Sequence, residues 1–330
     1  MTEKSAILSS LLSIQNEARF EEIVLEVYRY QSEQCEVYKR FQQYLQLKPE
    51  QVSSIHQIPF LPIQFFKTQE VISKEVAPSI IFTSSATTGT VQSKHRVADL
   101  HLYEQSFTQA FKQFYGEVHE YCILALLPNY YEREGSSLVY MVNNFIEKSK
   151  MNGSGYFLHQ HDVLFETLQQ NERDGKKTML IGVSYALLDF LEKYQMQLKH
   201  TIIMETGGMK GKRAELLKSQ LHEELRKGFG VEKIHSEYGM TELLSQAYSK
   251  GDGIFETPPW MKILIRDIHA PLSIRHDGRT GGVNVIDLAN YYSCSFIATD
   301  DLGKKLSDTT FEIVGRIDNS DVRGCNLMID

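Results

Sequence analysis

Cysteine, tryptophan and proline are scarce in this chain of 330 residues: four, one and eight, respectively. Cys35, Cys122, Cys294 and Cys325 stand far apart, without the paired spacing of a zinc site, and read as free thiols of a reducing compartment. An excess of positive charge is lacking too. Lys and Arg number 35 against 42 Asp and Glu, a net charge of −7, which excludes the basic face that a nucleic-acid binder needs. The small group Lys210, Lys212 and Arg213 reads as a solvated helix start. The apolar stretch 121–128 is far too short to span a bilayer and no longer one is present, so membrane insertion is not expected. The layout of a signal peptide is also missing at the N-terminus, and a cytoplasmic location is expected.

What is present is the composition of a folded globular chain, 42% hydrophobic and 23% charged, with no biased tract or internal repeat. Its length allows one large domain or two smaller ones. Leu8, Leu11 and Leu12, then Ile23, Val24, Val27 and Tyr28, recur at helical spacing and predict two or three amphipathic helices over 1–47. Residues 58–67, with Pro59, Pro62 and several aromatics, predict an extended segment packed across a core. Beyond a strand near 80, the chain alternates: helix 100–114, strand 121–127, helix from 138, strand 178–183, helix 185–194, strand 201–204, helix 212–227. Such alternation predicts a sheet of largely parallel character covered by helices, with ligands gathered at the C-terminal ends of the strands. From 261 the texture changes to short strands at 262–266, 283–287, 294–299 and 311–314. With a hairpin-like turn over 276–282, they predict a small antiparallel sheet or barrel.

Chemistry first shows at Ile80-Ile81-Phe82-Thr83-Ser84-Ser85-Ala86-Thr87-Thr88-Gly89-Thr90. A β-branched apolar run breaks there into hydroxyls and a glycine, as a buried strand entering a flexible loop would. Converging N–H and hydroxyl donors suit a phosphate. The Walker ending, Gly-Lys-Ser/Thr, is absent. Four more segments follow in order: Glu205-Thr206-Gly207-Gly208, Tyr238-Gly239-Met240-Thr241-Glu242, Thr299-Asp300-Asp301-Leu302-Gly303 and Gly315-Arg316-Ile317-Asp318.

Together these five segments resemble, over about residues 60–330, the adenylate-forming superfamily. That group takes in acyl-CoA ligases, their phenylacetate-CoA ligase branch and the acyl-protein synthetases of bacterial luminescence systems. The loop at Ser84 is similar to the family's phosphate loop, with Ala86 where glycine is usual and Lys94 displaced. Tyr238 to Glu242 matches the Tyr-Gly-x-Thr-Glu motif at each fixed position. Thr299 to Gly303 resembles the Thr-Gly-Asp-x-Gly ribose motif, Asp300 replacing glycine, and Gly315 to Asp318 resembles the Gly-Arg-x-Asp hinge.

The resemblance implies an α/β fold: an adenylate-forming N-terminal domain of mixed sheets covered by helices. It implies an adenylation domain over 1–316, its β-rich subdomain over 260–316, and a hinge and short tail over 317–330. The C-terminal lid domain of full-length ligases is expected to be missing. ATP and Mg²⁺ are the implied cofactors. Ser84, Ser85, Thr87, Thr88 and Gly89 would hold the β- and γ-phosphates, and Gly207 and Gly208 would let backbone approach the adenine. Tyr238, followed by Gly239, would stack on the adenine. Thr241 would bond the α-phosphate and Glu242 would hold Mg²⁺, a hard cation suited to carboxylate oxygen. Asp301 would accept the ribose hydroxyls, and Arg316 would donate to ribose or phosphate. Joining a carboxylate to a phosphate brings two anions together, so donors and cations are needed around them.

Among the branches, the Gly324-Cys325-Asn326-Leu327 context and the stretch from Leu127 to Tyr140 resemble the acyl-protein synthetases. That branch implies activation of a carboxylic acid, a fatty acid, and its transfer to a protein thiol. Cys325 is the candidate carrier, with an acyl-accepting partner protein as a further expectation and a CoA ligase as the alternative. Two readings from other classes stand beside it. Gly182-Val183-Ser184-Tyr185-Ala186 nearly matches a nucleophile elbow, with Ser184 as nucleophile and His276 as base, although Ser184 reads more simply as a helix N-cap. The chain could also be a nucleotide-binding scaffold that has lost catalysis. His159 and His161 read as a solvated pair rather than a metal site, which needs more ligands.

Overall fold

A computed structural model describes residues 8, 10–85, 91–128, 133–207, 213, 216–276 and 278–317. Near the N-terminus, helix α1 (Glu17–Gln34) starts at Asn16, whose side chain accepts from the Arg19 amide, and buries Phe20, Ile23, Val24, Val27 and Tyr28. Helix α2 (Glu36–Tyr44) follows with one residue between. The helical spacing of apolar residues thus produces the expected faces. Strand β1 (Leu61–Pro62) is extended as its prolines suggest, but only briefly: a single helical turn, Phe65–Thr68, closes the segment.

The centre of the molecule is one continuous sheet. Strands β2 (Ile80–Thr83) and β3 (Lys94–Val97) form a separate antiparallel hairpin. Helix α3 (Leu100–Tyr115) is capped by Asp99, whose side chain accepts from the Leu102 amide, a cap worth about 1 kcal/mol. Then come β4 (Cys122–Leu126), α4 (Ser137–Ser149), β5 (Gly155–Tyr156), α5 (His161–Arg173), β6 (Thr178–Val183), α6 (Ser184–Lys193), β7 (Thr201–Thr206), α7 (Lys218–Phe229) and β8 (His235–Tyr238). Strands β5, β4, β6, β7 and β8 lie side by side in parallel. β4 and β6 are buried along their whole length, which is why they read as unbroken apolar runs. Helix α7 starts at Lys218 rather than 212, where the Leu217 amide finds the Gln220 side chain at 3.2 Å.

The remaining strands are β9 (Ala247–Ser249), β10 (Ile254–Glu256), β11 (Met261–Arg266), β12 (Ile274–Arg275), β13 (Gly281–Asp287), β14 (Phe296–Lys305) and β15 (Thr310–Arg316). They pair with one another antiparallel, as their short spacing predicts. They do not form a sheet of their own, because β9 pairs with β8 and β10 links β9 to β15. The turn over 276–282 does not join paired strands either: β11 lies between β12 and β13 and pairs with both. Strand β1 adds to β14 in parallel, Leu61 opposite Ile297. No helix among the described residues is long and apolar enough to cross a membrane.

Candidate active site

Three elements meet where the parallel strands end. The first is the turn after β8 that holds Gly239, Thr241 and Glu242. It is fixed by buried polar groups that sequence reasoning did not single out. Asp287, fully buried at the end of β13, accepts from the Leu244 amide (2.8 Å), the Ser245 amide (2.9 Å) and hydroxyl (2.5 Å) and the Ala289 amide (3.0 Å). Burial pushes its carboxyl up to about 6 while these donors pull it back. Asn290 donates to the Glu242 carbonyl at 2.8 Å, and His95 Nδ1 lies 2.9 Å from the Thr241 carbonyl.

Glu242 itself is 5% exposed, and burial raises its pKa against the opposing pull of the Ser93 hydroxyl and the charges of Lys67 and Arg316. A lone desolvated carboxylate with cations nearby fits a metal delivered with its own phosphate ligands, since Mg²⁺ uses few protein oxygens. No cluster of three or more His, Cys, Asp or Glu side chains able to hold a metal occurs among the described residues. His161 packs edge-on to Phe190 at 5.8 Å.

The second element is a wide irregularity in β14. Pairing with β13 runs from Ala298 opposite Asn284 to Leu302 opposite Gly282, so Thr299, Asp300 and Asp301 face only one residue of the partner strand. Such a bulge turns side chains out of the ladder. Buried Arg266 lies beneath it, donating to the carbonyls of Val283 (2.7 Å) and Thr299 (2.5 Å). Asp300, where the motif has glycine, accepts from Gln64 at 2.5 Å, which ties the segment around β1 to this corner. Asp301 sits opposite Arg316 on β15, its Oδ1 3.6 Å from the Arg316 Nε. Burial raises the pKa of Asp301, while Tyr238 and Arg316 lower it.

Tyr238 is held in place by the surrounding protein. Its ring is 9% exposed and packs against Phe311 (5.4 Å) and Phe255 (5.8 Å), while its hydroxyl donates to Asp301 Oδ2 at 2.8 Å. Aromatic packing and a satisfied hydroxyl are what burial of a tyrosine requires.

The third element is the hydroxyl-bearing hairpin of β2 and β3. Ser84 bonds across it to Ser93, and Ser85 is exposed. Thr87, Thr88, Gly89, Gly208 and Cys325 lie outside the described residues. Gly207, at the end of β7, takes a left-handed φ of 68° that favours glycine, and its carbonyl accepts from Ser184 at 2.9 Å. Ser184 is the first residue of α6 rather than its cap, which is Val183. Its hydroxyl also points to buried Glu205 at 3.4 Å, and the His276 ring stands against His56 at 4.8 Å. The base of the elbow reading, His276, thus packs against another histidine.

The order of elements and the placement of these motifs define the fold of adenylate-forming ligases. ATP-bound MatB from Rhodopseudomonas palustris superposes with a TM-score of 0.55 at 18% identity, over 72% of this chain and 47% of that one. The chain thus spans about half the length of MatB. An open conformation of 2-hydroxyisobutyryl-CoA ligase in complex with 2-HIB-AMP and CoA gives a TM-score of 0.62 at 11% identity, over 94% and 78%. The same ligase in the postadenylation state gives 0.63 at 12%, over 94% and 70%. Comparison with curated protein sequences gives no match. The family model described as "Acyl-protein synthetase, LuxE" matches residues 8–330. The chain belongs to the LuxE acyl-protein synthetase family.

Proposed function

We propose that this protein uses Mg²⁺ and ATP to activate a carboxylic acid, a fatty acid by family likeness, and passes the acyl group to a protein thiol. The observation that carries the reading is the convergence of Glu242, Thr241 and the Asp301–Arg316 pair at the strand ends, beside the edge of the hydroxyl hairpin. In the first step a carboxylate oxygen attacks the α-phosphorus. The bond to the bridging oxygen breaks, and pyrophosphate leaves with the electron pair. Asp301 accepts from the ribose hydroxyls, Arg316 offsets negative charge beside it, and Thr241 donates to the α-phosphate. Ser84, Ser85, Thr87, Thr88 and Gly89 cradle the terminal phosphates, and Gly207 and Gly208 lie along the adenine. Glu242 would hold the metal, which supplies charge neutralisation on the phosphates.

In the second step a thiolate attacks the acyl carbon, a thioester forms, and AMP departs with the electrons of the broken acyl–oxygen bond. Cys325 is the proposed nucleophile, since a thiolate attacks well and its thioester stays reactive for onward transfer to an acyl-accepting partner. ATP–pyrophosphate exchange with a panel of carboxylic acids tests the first step; no exchange with any of them sinks it. For the second, incubation with ATP and labelled acid should leave a hydroxylamine-sensitive label on the protein. Persistence of that label in Cys325→Ser moves the carrier elsewhere, and label released only by CoA makes the chain a CoA ligase.

A further inference from the structure

The return strand of the hydroxyl hairpin carries two buried polar side chains. β3 alternates as a half-buried strand should: Ser93, His95 and Val97 face inward at 1%, 0% and 1% exposure, and Lys94 faces out. Inward Ser and His need partners, because a buried polar group without one is costly. Those of His95 lie on two neighbouring turns. His95 Nδ1 sits 2.9 Å from the Thr241 carbonyl and Nε2 sits 2.9 Å from the Ser293 hydroxyl. A carbonyl can only accept, so Nδ1 bears the proton and Ser293 donates to Nε2. The ring is held edge-on by Phe66 at 5.4 Å. The Ser93 side chain is one of the groups that draw the pKa of Glu242 down against its burial. Across the hairpin, the Ser84 amide donates to the Ser93 carbonyl (3.1 Å) and the Ser93 amide donates to the Ser84 hydroxyl (3.0 Å).

The hydroxyl loop and the Thr241–Glu242 pair are therefore bridged by one short strand. We propose that His95 is a positioning residue. It fixes the Thr241 backbone beside Glu242, so that the strand returning from Ser84 and the groups meeting metal and α-phosphate are set as one unit. This rests on the nucleotide-activating reading above. It assigns work to a residue outside the five motifs, in the way that second-layer partners orient metal ligands elsewhere.

The test reads metal binding directly, by electron paramagnetic resonance titration of Mn²⁺ in the presence of ATP. His95→Gln should weaken Mn²⁺ binding by about tenfold, the usual cost of losing a partner that orients a ligand. The two amides separate the jobs of His95. His95→Asn keeps a donor near the Nδ1 position and should retain metal binding, whereas His95→Gln keeps only a group near Nε2 and should lose it. In pyrophosphate exchange, His95→Gln should lower kcat more than it raises the KM for ATP. Thermal melts accompany each variant, and the Asn variant carries the comparison if Gln fails to fold. Mn²⁺ binding by His95→Gln within about twofold of the native protein, or His95→Gln binding better than His95→Asn, overturns the proposal. If the native protein itself does not bind Mn²⁺ with ATP, the nucleotide-activating reading falls, and this one with it.

Discussion

The hydroxyl of Tyr238 donates to Asp301 Oδ2 at 2.8 Å, joining the end of a parallel strand to the bulge of an antiparallel one. One carboxylate oxygen is thus held by the protein and the other lies toward Arg316. The bond fixes the aspartate rotamer before any ribose arrives, which reduces the ordering cost of binding. Asp301→Ala should raise the KM for ATP at least about tenfold, as loss of a charged hydrogen-bonding partner does. Tyr238→Phe should raise it less, since only the orientation is lost. Pyrophosphate exchange at varied ATP measures both, and a native-like KM in Asp301→Ala shows that the ribose lies elsewhere.

Glu242 offers a second measurement. Glu242→Gln keeps the shape and removes the charge, so exchange at saturating Mg²⁺ should fall by roughly an order of magnitude or more. The melt should hold or rise, because burial opposes the charge of this carboxylate in the folded chain. Unchanged exchange activity would remove Glu242 from the metal site.

Asp287 anchors the same turn from below. Asp287→Ala leaves the amides of Leu244, Ser245 and Ala289 without their acceptor, and buried donors left unpaired cost about 1–3 kcal/mol each. A drop in stability of several kcal/mol in denaturant unfolding is expected, together with loss of exchange. A variant as stable as the native chain would mean that water takes over those bonds.

The motifs were legible in the sequence because each is a short run whose residue types serve one local task. Tyr238 to Glu242 and Thr299 to Gly303 fall where the strands end or bulge, as their composition suggests. The parallel strands were legible too, since burial on both faces leaves an unbroken apolar run. What was not legible comes from distant contacts. His95 meets Thr241 across 146 residues and Gln64 meets Asp300 across 236, and no local pattern encodes such pairs. The inward serine and histidine of β3 were the available signal: polar residues at apolar positions of a period-2 strand. The joining of the β-rich region to the main sheet rests on β10, three residues long with exposed Ile254 and Glu256, too short to show a pattern. The packing of Tyr238 against Phe255 and Phe311 is likewise a contact between separate segments.

Acid stability turns on Glu205, 4% exposed at the end of β7. Burial pushes its pKa up, but the combined pull of His222 (3.3 Å), Lys218 (2.9 Å) and Ser236 wins and brings it down to about 2. The ordinary value for this group is 4.5, so the folded chain holds fewer protons than the unfolded one between these limits. The stabilisation is therefore complete above pH 4.5 and is lost as pH falls toward 2. At 1.36 kcal/mol per unit, its size is on the order of 3 kcal/mol. Glu205→Gln should remove this dependence: urea unfolding of the variant should be weaker than native at pH 7 and fall less steeply between pH 4.5 and 3. Lys218→Met should flatten the same limb in part, because His222 and Ser236 remain. Parallel acid limbs for native protein and Glu205→Gln would show that the cluster contributes nothing, and that other carboxylates carry the acid transition.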